Sequence, residues 1–339
     1  MEYRIILNKQ QKAAVSLIKS DLRFIYTTLI ESAGIIKSNY SVMMFPFIGT
    51  IIDGAEDWIK AYNNSHKAKF DVPLFSAEEQ QFYETLRSSI KMWDKSYSEI
   101  REILAQKYVE SDVYFSSLCK PIAKGLKLYD IYGADIVNGN YCGNTILCNC
   151  YIPQYQLGKA DGSQIKKLSI IGGEYISIFG ATEGYKTDDT LSFSVVDYGG
   201  FIKSPVGNKF SDKFVLFSLL CQINFVLVCV DKFILEECPV KLRFAYLQYY
   251  YVSHILSEIN HSLGTMFIMN DKYVSDKFRN AMAHYKIGVA LKQDEIVEND
   301  PFFGLTQKYF NCDYIALKTN IISELASLSH QICRFLNFT

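Results

Sequence analysis

An excess of charge of either sign is missing from this sequence: 35 Lys and Arg stand against 36 Asp and Glu, a formal net charge of −1 over 339 residues. So balanced a chain does not coat nucleic acid by bulk electrostatics, and any contact with a polyanion must be local. Cys-x-x-Cys knuckles are also missing. The nine cysteines therefore argue against a zinc ribbon around Cys119, Cys142, Cys148 and Cys150. The stretch Met1 to Lys9 has neither the apolar run nor the small-residue cleavage site of a secretory signal, so a cytoplasmic protein is expected, with Cys221, Cys229 and Cys333 as reduced core thiols.

No phosphate-binding G-x-x-x-x-G-K loop is present. From Gly180 the second glycine comes one residue early, at Gly184, and Tyr185 separates it from Lys186. Neither a G-x-S-x-G turn nor an H-E-x-x-H pair occurs, which disfavours nucleotide hydrolysis and protease chemistry. Internal repeats and low-complexity tracts are absent too.

What is present is apolar and aromatic. Hydrophobic residues make up 49% of the chain, with 24 Tyr and 23 Phe, enough for a sizeable globular core. Residues 5–38 and 76–108 carry helical periodicity. In the second, Phe82, Leu86, Ile90, Trp93, Tyr97 and Ile100 recur at three and four residue steps, and Ser76 with Glu79 forms a capping-box pattern at its start. Between Gly133 and Gly207, which hold 12 of the 19 glycines, strand-like runs take over at Tyr175–Phe179 and Leu191–Val195.

From about Asp212 the helical stripes return, through Leu242, Ala245, Tyr249, Val252, Leu256, Ile259 and Leu263, and again through Leu317, Ile321, Leu325, Leu328, Ile332 and Phe335. Pro239 suits a first helical turn, and the loop Lys292–Phe303 precedes the last helix. The apolar run Phe214–Val230 is at the lower limit for a membrane span and contains Gln222 and Asn224, so a helix central to a bundle is expected instead. The run Val42–Ile52, with Pro46 and Gly49, is too short to span. The expected fold is mainly α, divided into a helical region 1–130, a β-rich, Gly-rich segment 131–208 and a helical bundle 209–339.

Within that last part, Arg279-Asn280-x-x-x-His284 stands in an apolar helical setting, between Phe278 and Tyr285. Histidine titrates near neutrality and can take or give a proton, while arginine offers a planar fork matched to phosphate oxygens. RNA needs little more, because its own 2′-hydroxyl attacks the adjacent phosphorus once a base removes the proton and a cation stabilises the phosphate. On a regular helix at about 100° per residue, Asn280 shares the face of His284 and Arg279 is rotated from it by roughly 140°. Asn280 is then the residue placed to orient the imidazole.

The pattern resembles the signature of the HEPN superfamily, helical domains that often act as metal-independent endoribonucleases, and the resemblance covers the C-terminal part only. It implies a bundle in which Arg279, Asn280 and His284 form the catalytic set, with no cofactor or metal. It also implies RNA as substrate, a homodimer sharing one cleft, and a toxin or antiphage role with a regulatory or antitoxin partner; no membrane partner is expected. His254 and Glu258 on the preceding helix, with Lys277 and Lys286 beside the motif, are candidates to line the cleft. His254, Glu258 and His261 also share a helical face on which a metal could sit, though no fourth ligand is identifiable. A non-catalytic dimerisation or nucleotide-binding module is the alternative.

Overall fold

The computed structural model describes residues 5–32, 34, 39–73, 75–152 and 163–338. Among these, thirteen α-helices and one three-stranded sheet make a mainly α fold. Helix α1 (Lys9–Ser32) begins where the Asn8 side chain accepts the Gln11 amide and the Gln11 side chain accepts that of Asn8, each at 2.9 Å. It is shorter than the stripe over 5–38 suggested, and residues 33 and 35–38 lie outside the described residues. Helix α2 (Tyr40–Ser65) takes in the run Val42–Ile52 despite Pro46. Its start is fixed from the sheet: Asn39 donates its backbone N–H and its side-chain amide to buried Asp135, at 2.7 and 2.9 Å.

Ser76 and Glu79 form the expected capping box at the start of α3 (Ala77–Ser89). The stripe over 76–108 is nonetheless two helices. After Ile90 the chain makes a 3₁₀ turn at Met92–Asp94, and α4 (Tyr97–Ser117) begins at a second capping box, Ser96 with Glu99. Two reciprocal hydrogen bonds satisfy the amides of that new helix start, and Glu258 accepts the Tyr97 N–H at 2.7 Å, so the break costs little. The apolar stripe stays on the core side through it, since Leu86, Trp93 and Ile100 are all fully enclosed.

Helix α5 (Pro121–Gly125) leads into β1 (Asp130–Val137) and β2 (Asn140–Asn144), joined by Asn138-Gly139 with φ of +46° and +80°, the pairing a tight hairpin requires. After α6 (Thr145–Tyr151) and α7 (Ser163–Ile178), β3 (Phe193–Gly199) completes an antiparallel sheet ordered β2-β1-β3. Tyr175–Phe179, expected as a strand, is instead the end of α7. Its strand-like composition serves a helical face, because Ile171, Tyr175 and Phe179 recur every four residues and are all buried.

Helix α8 (Asp212–Asn224) runs on as a π-helix over Phe225–Lys232. Its apolar window is 94% buried, as in the core helix of a soluble protein. Both amides that looked costly are satisfied: Gln222 accepts the Trp93 indole N–H, and Asn224 accepts the Ser329 hydroxyl at 2.6 Å while donating to the Tyr141 carbonyl at 3.0 Å. Helix α9 (Pro239–Leu263) has Pro239 in its first turn and ends at Gly264 in the left-handed conformation. The motif helix α10 (Asp276–Ala283) follows, then short α11 (Ile287–Ala290) and α12 (Leu305–Phe310), and finally α13 (Tyr314–Leu336), which packs on α8 and α9. One continuous apolar core includes residues from Ala13 to Leu336. All nine cysteines are free, and burial pushes the Cys142, Cys148 and Cys221 thiols well above their ordinary range.

Two glycines on α2 set the approach of its neighbours. A Cβ at Gly49 would lie 2.5 Å from Leu86 Cβ and 2.8 Å from the Arg87 nitrogen, while one at Gly54 would lie 3.0 Å from the Ala283 carbonyl and 3.1 Å from the Tyr285 ring. Gly49→Ala should therefore destabilise the protein by about 1–3 kcal/mol through overpacking. Gly173→Ala, at an exposed helical position with nothing within 4 Å, should stabilise it by about 0.5–1 kcal/mol. Urea denaturation of the two variants checks this, and a neutral Gly49→Ala would mean that α3 is free to move off α2.

Candidate functional site

The motif helix is fixed at both ends. Ser275 accepts the Phe278 N–H at its start, and the buried Phe278 ring packs 4.7 Å from Tyr246 and 4.8 Å from Phe310. At its other end the helix stops at Ala283: His284 has φ −125° and ψ 14°, and Tyr285 turns left-handed with φ +50°. His284 therefore stands at the helix exit rather than on its face. The helical-wheel relation of Asn280 to the imidazole does not hold, and Asn280 is exposed, with no side-chain hydrogen bond among the described residues.

The imidazole is held by the N-terminal helices instead. Arg87 on α3 places Nη2 2.8 Å from His284 Nε2, and Asp57 on α2 has Oδ2 3.6 Å from Nδ1. The other Arg87 nitrogen, Nη1, is paired with Asp53, one turn before Asp57. The same Nη2 is also 3.4 Å from Nδ1, so the guanidinium lies against the face of the imidazole. The 3.6 Å separation from Asp57 is longer than a good hydrogen bond. Interaction with His284, then the charge of Arg87, holds the Asp57 carboxyl below its ordinary range in spite of partial burial. Burial raises Asp53 the other way, against the Arg87 charge.

Arg279 is half-buried with its guanidinium carbon 5.2 Å over the Tyr250 ring, and its Nε is enclosed without an acceptor among the described residues. Tyr250 in turn donates its hydroxyl to Asp276 at 2.5 Å. The ammonium of Lys91 is pushed below its ordinary range first by burial and then by the charges of Arg87 and Arg279. Three cations thus influence one another in this region, of which Arg87 meets the imidazole directly.

The remaining candidates separate. His254 packs its ring 4.4 Å from Tyr250 and sits 3.5 Å from Asp94, so it borders the Arg279 side of the cluster. Glu258 faces away, spent on the start of α4, where its carboxylate meets the positive end of the helix. It shares a shallow hollow with His261 and Tyr97. Lys277 and Lys286 are exposed, and the Lys286 charge reaches Asp57. No group of three or more His, Cys, Asp or Glu side chains among the described residues is placed to hold a metal ion, and the face of His254, Glu258 and His261 is divided as described. No protein-family model, curated protein or solved structure matches the chain.

Sequence analysis does not single out Asp53, Asp57, Arg87 or Lys91. A usable signal existed in α2, where two carboxylates one turn apart flank Gly54 and follow a long apolar run.

Behind the site lies a buried anchor. The Tyr285 hydroxyl donates to Asp21 at 2.6 Å, Arg243 pairs with the same carboxylate oxygen and lies 4.2 Å over the Tyr285 ring, and all three side chains are enclosed. Burial raises the Asp21 pKa and the Arg243 charge opposes that rise; we read the pair as ionised, since a guanidinium keeps its proton. Asp21→Ala should cost about 3–5 kcal/mol by leaving a buried charge unpaired, and adding Arg243→Met should restore most of the loss. Urea melts of the single and double variants test this; a double variant no more stable than the single one would show that Asp21 is not compensating Arg243.

Proposed function

We propose that the protein is an endoribonuclease acting through His284. The observation that carries this reading is the imidazole held between the Arg87 guanidinium and the Asp57 carboxylate. His284 Nε2 takes the proton of a ribose 2′-hydroxyl, whose oxygen attacks the adjacent phosphorus. Arg87 leaves the ring nitrogen for the phosphate and, with Arg279, stabilises the charge that develops on its oxygens. The P–O5′ bond breaks as the leaving oxygen receives a proton, for which the Lys91 ammonium, its pKa lowered by burial and its two neighbours, is the closest fit. The products are a 2′,3′-cyclic phosphate and a 5′-hydroxyl. Asp57 orients the ring and steadies the imidazolium.

This reading adopts the HEPN resemblance, and with it a cytoplasmic, homodimeric toxin or defence effector that needs no cofactor. It differs on one point: the imidazole is partnered by Arg87 of its own chain, so each chain can complete a site without the other's motif. The same contact supports the alternative of a non-catalytic module, because in the free protein Arg87 covers the imidazole that would act as base.

Incubation of the purified protein with total RNA in EDTA, followed by mapping of the new ends, separates the two. His284→Ala should lower cleavage by about 10²–10⁴-fold with the fold retained. Arg279→Lys should fall far below wild type, since a point charge loses the two-point grip on phosphate. Full activity in folded His284→Ala protein would sink the reading. Excess His284→Ala chain mixed with wild type should leave activity per wild-type chain unchanged; a marked drop would instead place residues of both chains in one cleft.

A further inference from the structure

Far along α4 from the histidine site, a second surface breaks the charge balance. Residues 118–129 and 199–210 contain five lysines, Lys120, Lys124, Lys127, Lys203 and Lys209, and no carboxylate. All five are exposed, and none makes an ion pair among the described residues. The same segments expose large apolar side chains that a soluble surface has no use for: Ile122 is 77% exposed, Phe201 80%, and Leu126 and Ile202 more than half.

Backbone contacts place the two segments side by side. The Gly200 N–H donates to the Tyr129 carbonyl at 3.0 Å, and Gly200 packs so tightly on this segment that a Cβ would lie 2.6 Å from the Lys127 carbonyl. Leu126, Lys127, Gly199, Gly200 and Lys209 all border one cavity of about 390 Å³, at whose edge exposed Val109 of α4 adds a further apolar side chain. The nearby acids are accounted for. Asp112, at the cavity wall, accepts the Tyr129 hydroxyl at 2.7 Å, Glu110 pairs with Lys107 at 2.8 Å, and Asp130 and Asp197 line an adjoining hollow that shares Tyr129 and Tyr132 with the cavity.

We propose that this face seats the protein on an anionic lipid surface, with Ile122, Leu126, Phe201 and Ile202 entering the interfacial layer while the five lysines meet lipid phosphates. Aliphatic groups projecting among unpaired lysines suit that environment. A second copy across a two-fold axis would set the lysines against themselves. Single-stranded RNA would call for exposed aromatic faces to stack on; of the cavity's rings Tyr108, Tyr132 and Tyr198 are buried and Tyr129 and Phe210 partly so, which leaves Phe201 as the largely exposed one. The attachment is peripheral, leaves the buried helix Asp212–Lys232 in the core, and stands independently of the nuclease reading.

Flotation of the full chain with vesicles tests it, using phosphatidylcholine alone and phosphatidylcholine with about one third phosphatidylglycerol. Binding should be at least about tenfold stronger to the anionic vesicles and should weaken as salt is raised. At roughly fivefold per lysine, the triple variant K124E/K127E/K203E should bind more than about 100-fold more weakly. The uncharged double variant Ile122→Ser with Phe201→Ser should also lose binding while keeping the wild-type thermal melt, because both side chains lie in solvent. Equal binding to both vesicles, no binding of the wild type, or unchanged binding of either variant would overturn the proposal. So would two results obtained without vesicle binding: RNA affinity lost in the lysine variant, or a dimer dispersed by the serine substitutions.

Discussion

A single buried carboxylate, Asp21, organises the geometry on which the candidate site rests. Removing two charges from water costs several kcal/mol per ion, and that cost is offset only if the charges meet and find further donors. Asp21 meets Arg243 from α9 and the Tyr285 hydroxyl from the turn after the motif helix, so three distant segments are bound to one point. Tyr285 can reach it because its backbone is left-handed, and that same turn carries His284 out of the helix toward α2 and α3. The position of the imidazole thus follows from how a buried charge is satisfied one residue later.

The wall that receives the imidazole is shaped by what α2 omits. Without side chains at Gly49 and Gly54, α3 and the motif turn come within van der Waals reach of the α2 backbone, and Asp53 and Asp57 are left to face Arg87 and His284. The polar groups of α8 follow a similar logic. Gln222 and Asn224 interrupt a run apolar enough for a membrane, and each is answered by a specific partner from α4's approach, the sheet or α13. Amides buried with their partners give the packing a definite register at little net cost.

How much of this could be read beforehand depended on whether the information was local. The capping box at Ser76, the proline at the start of α9 and the stripes of α9 and α13 are local patterns, and they appear as expected save at the last turn of α13, where Leu336 is buried in place of Phe335. The mainly α class with its small sheet follows from the same signals. Tyr175–Phe179 was misread because β-branched and aromatic residues suit any half-buried surface, and only the four-residue spacing from Ile171 reveals a helix. At the motif, Arg279 and His284 were visible as residue types, whereas the helix end at Ala283, which detaches Asn280 from the imidazole, depends on the tertiary pull of Tyr285 toward Asp21. Arg87 and Asp57 were invisible for the same reason: nothing in one segment announces that another will dock on it.

The Tyr285 to Asp21 hydrogen bond spans 264 positions of the chain. Helix α1 thus depends for its buried carboxylate on two residues, Arg243 and Tyr285, that lie far along the chain from it. Closing so long a loop is entropically slow, and an unanswered carboxylate keeps α1 from settling in the meantime. Assembly of the histidine site is therefore tied to that long-range closure: the imidazole of His284 takes its place only when Tyr285, the next residue, reaches the carboxylate of α1.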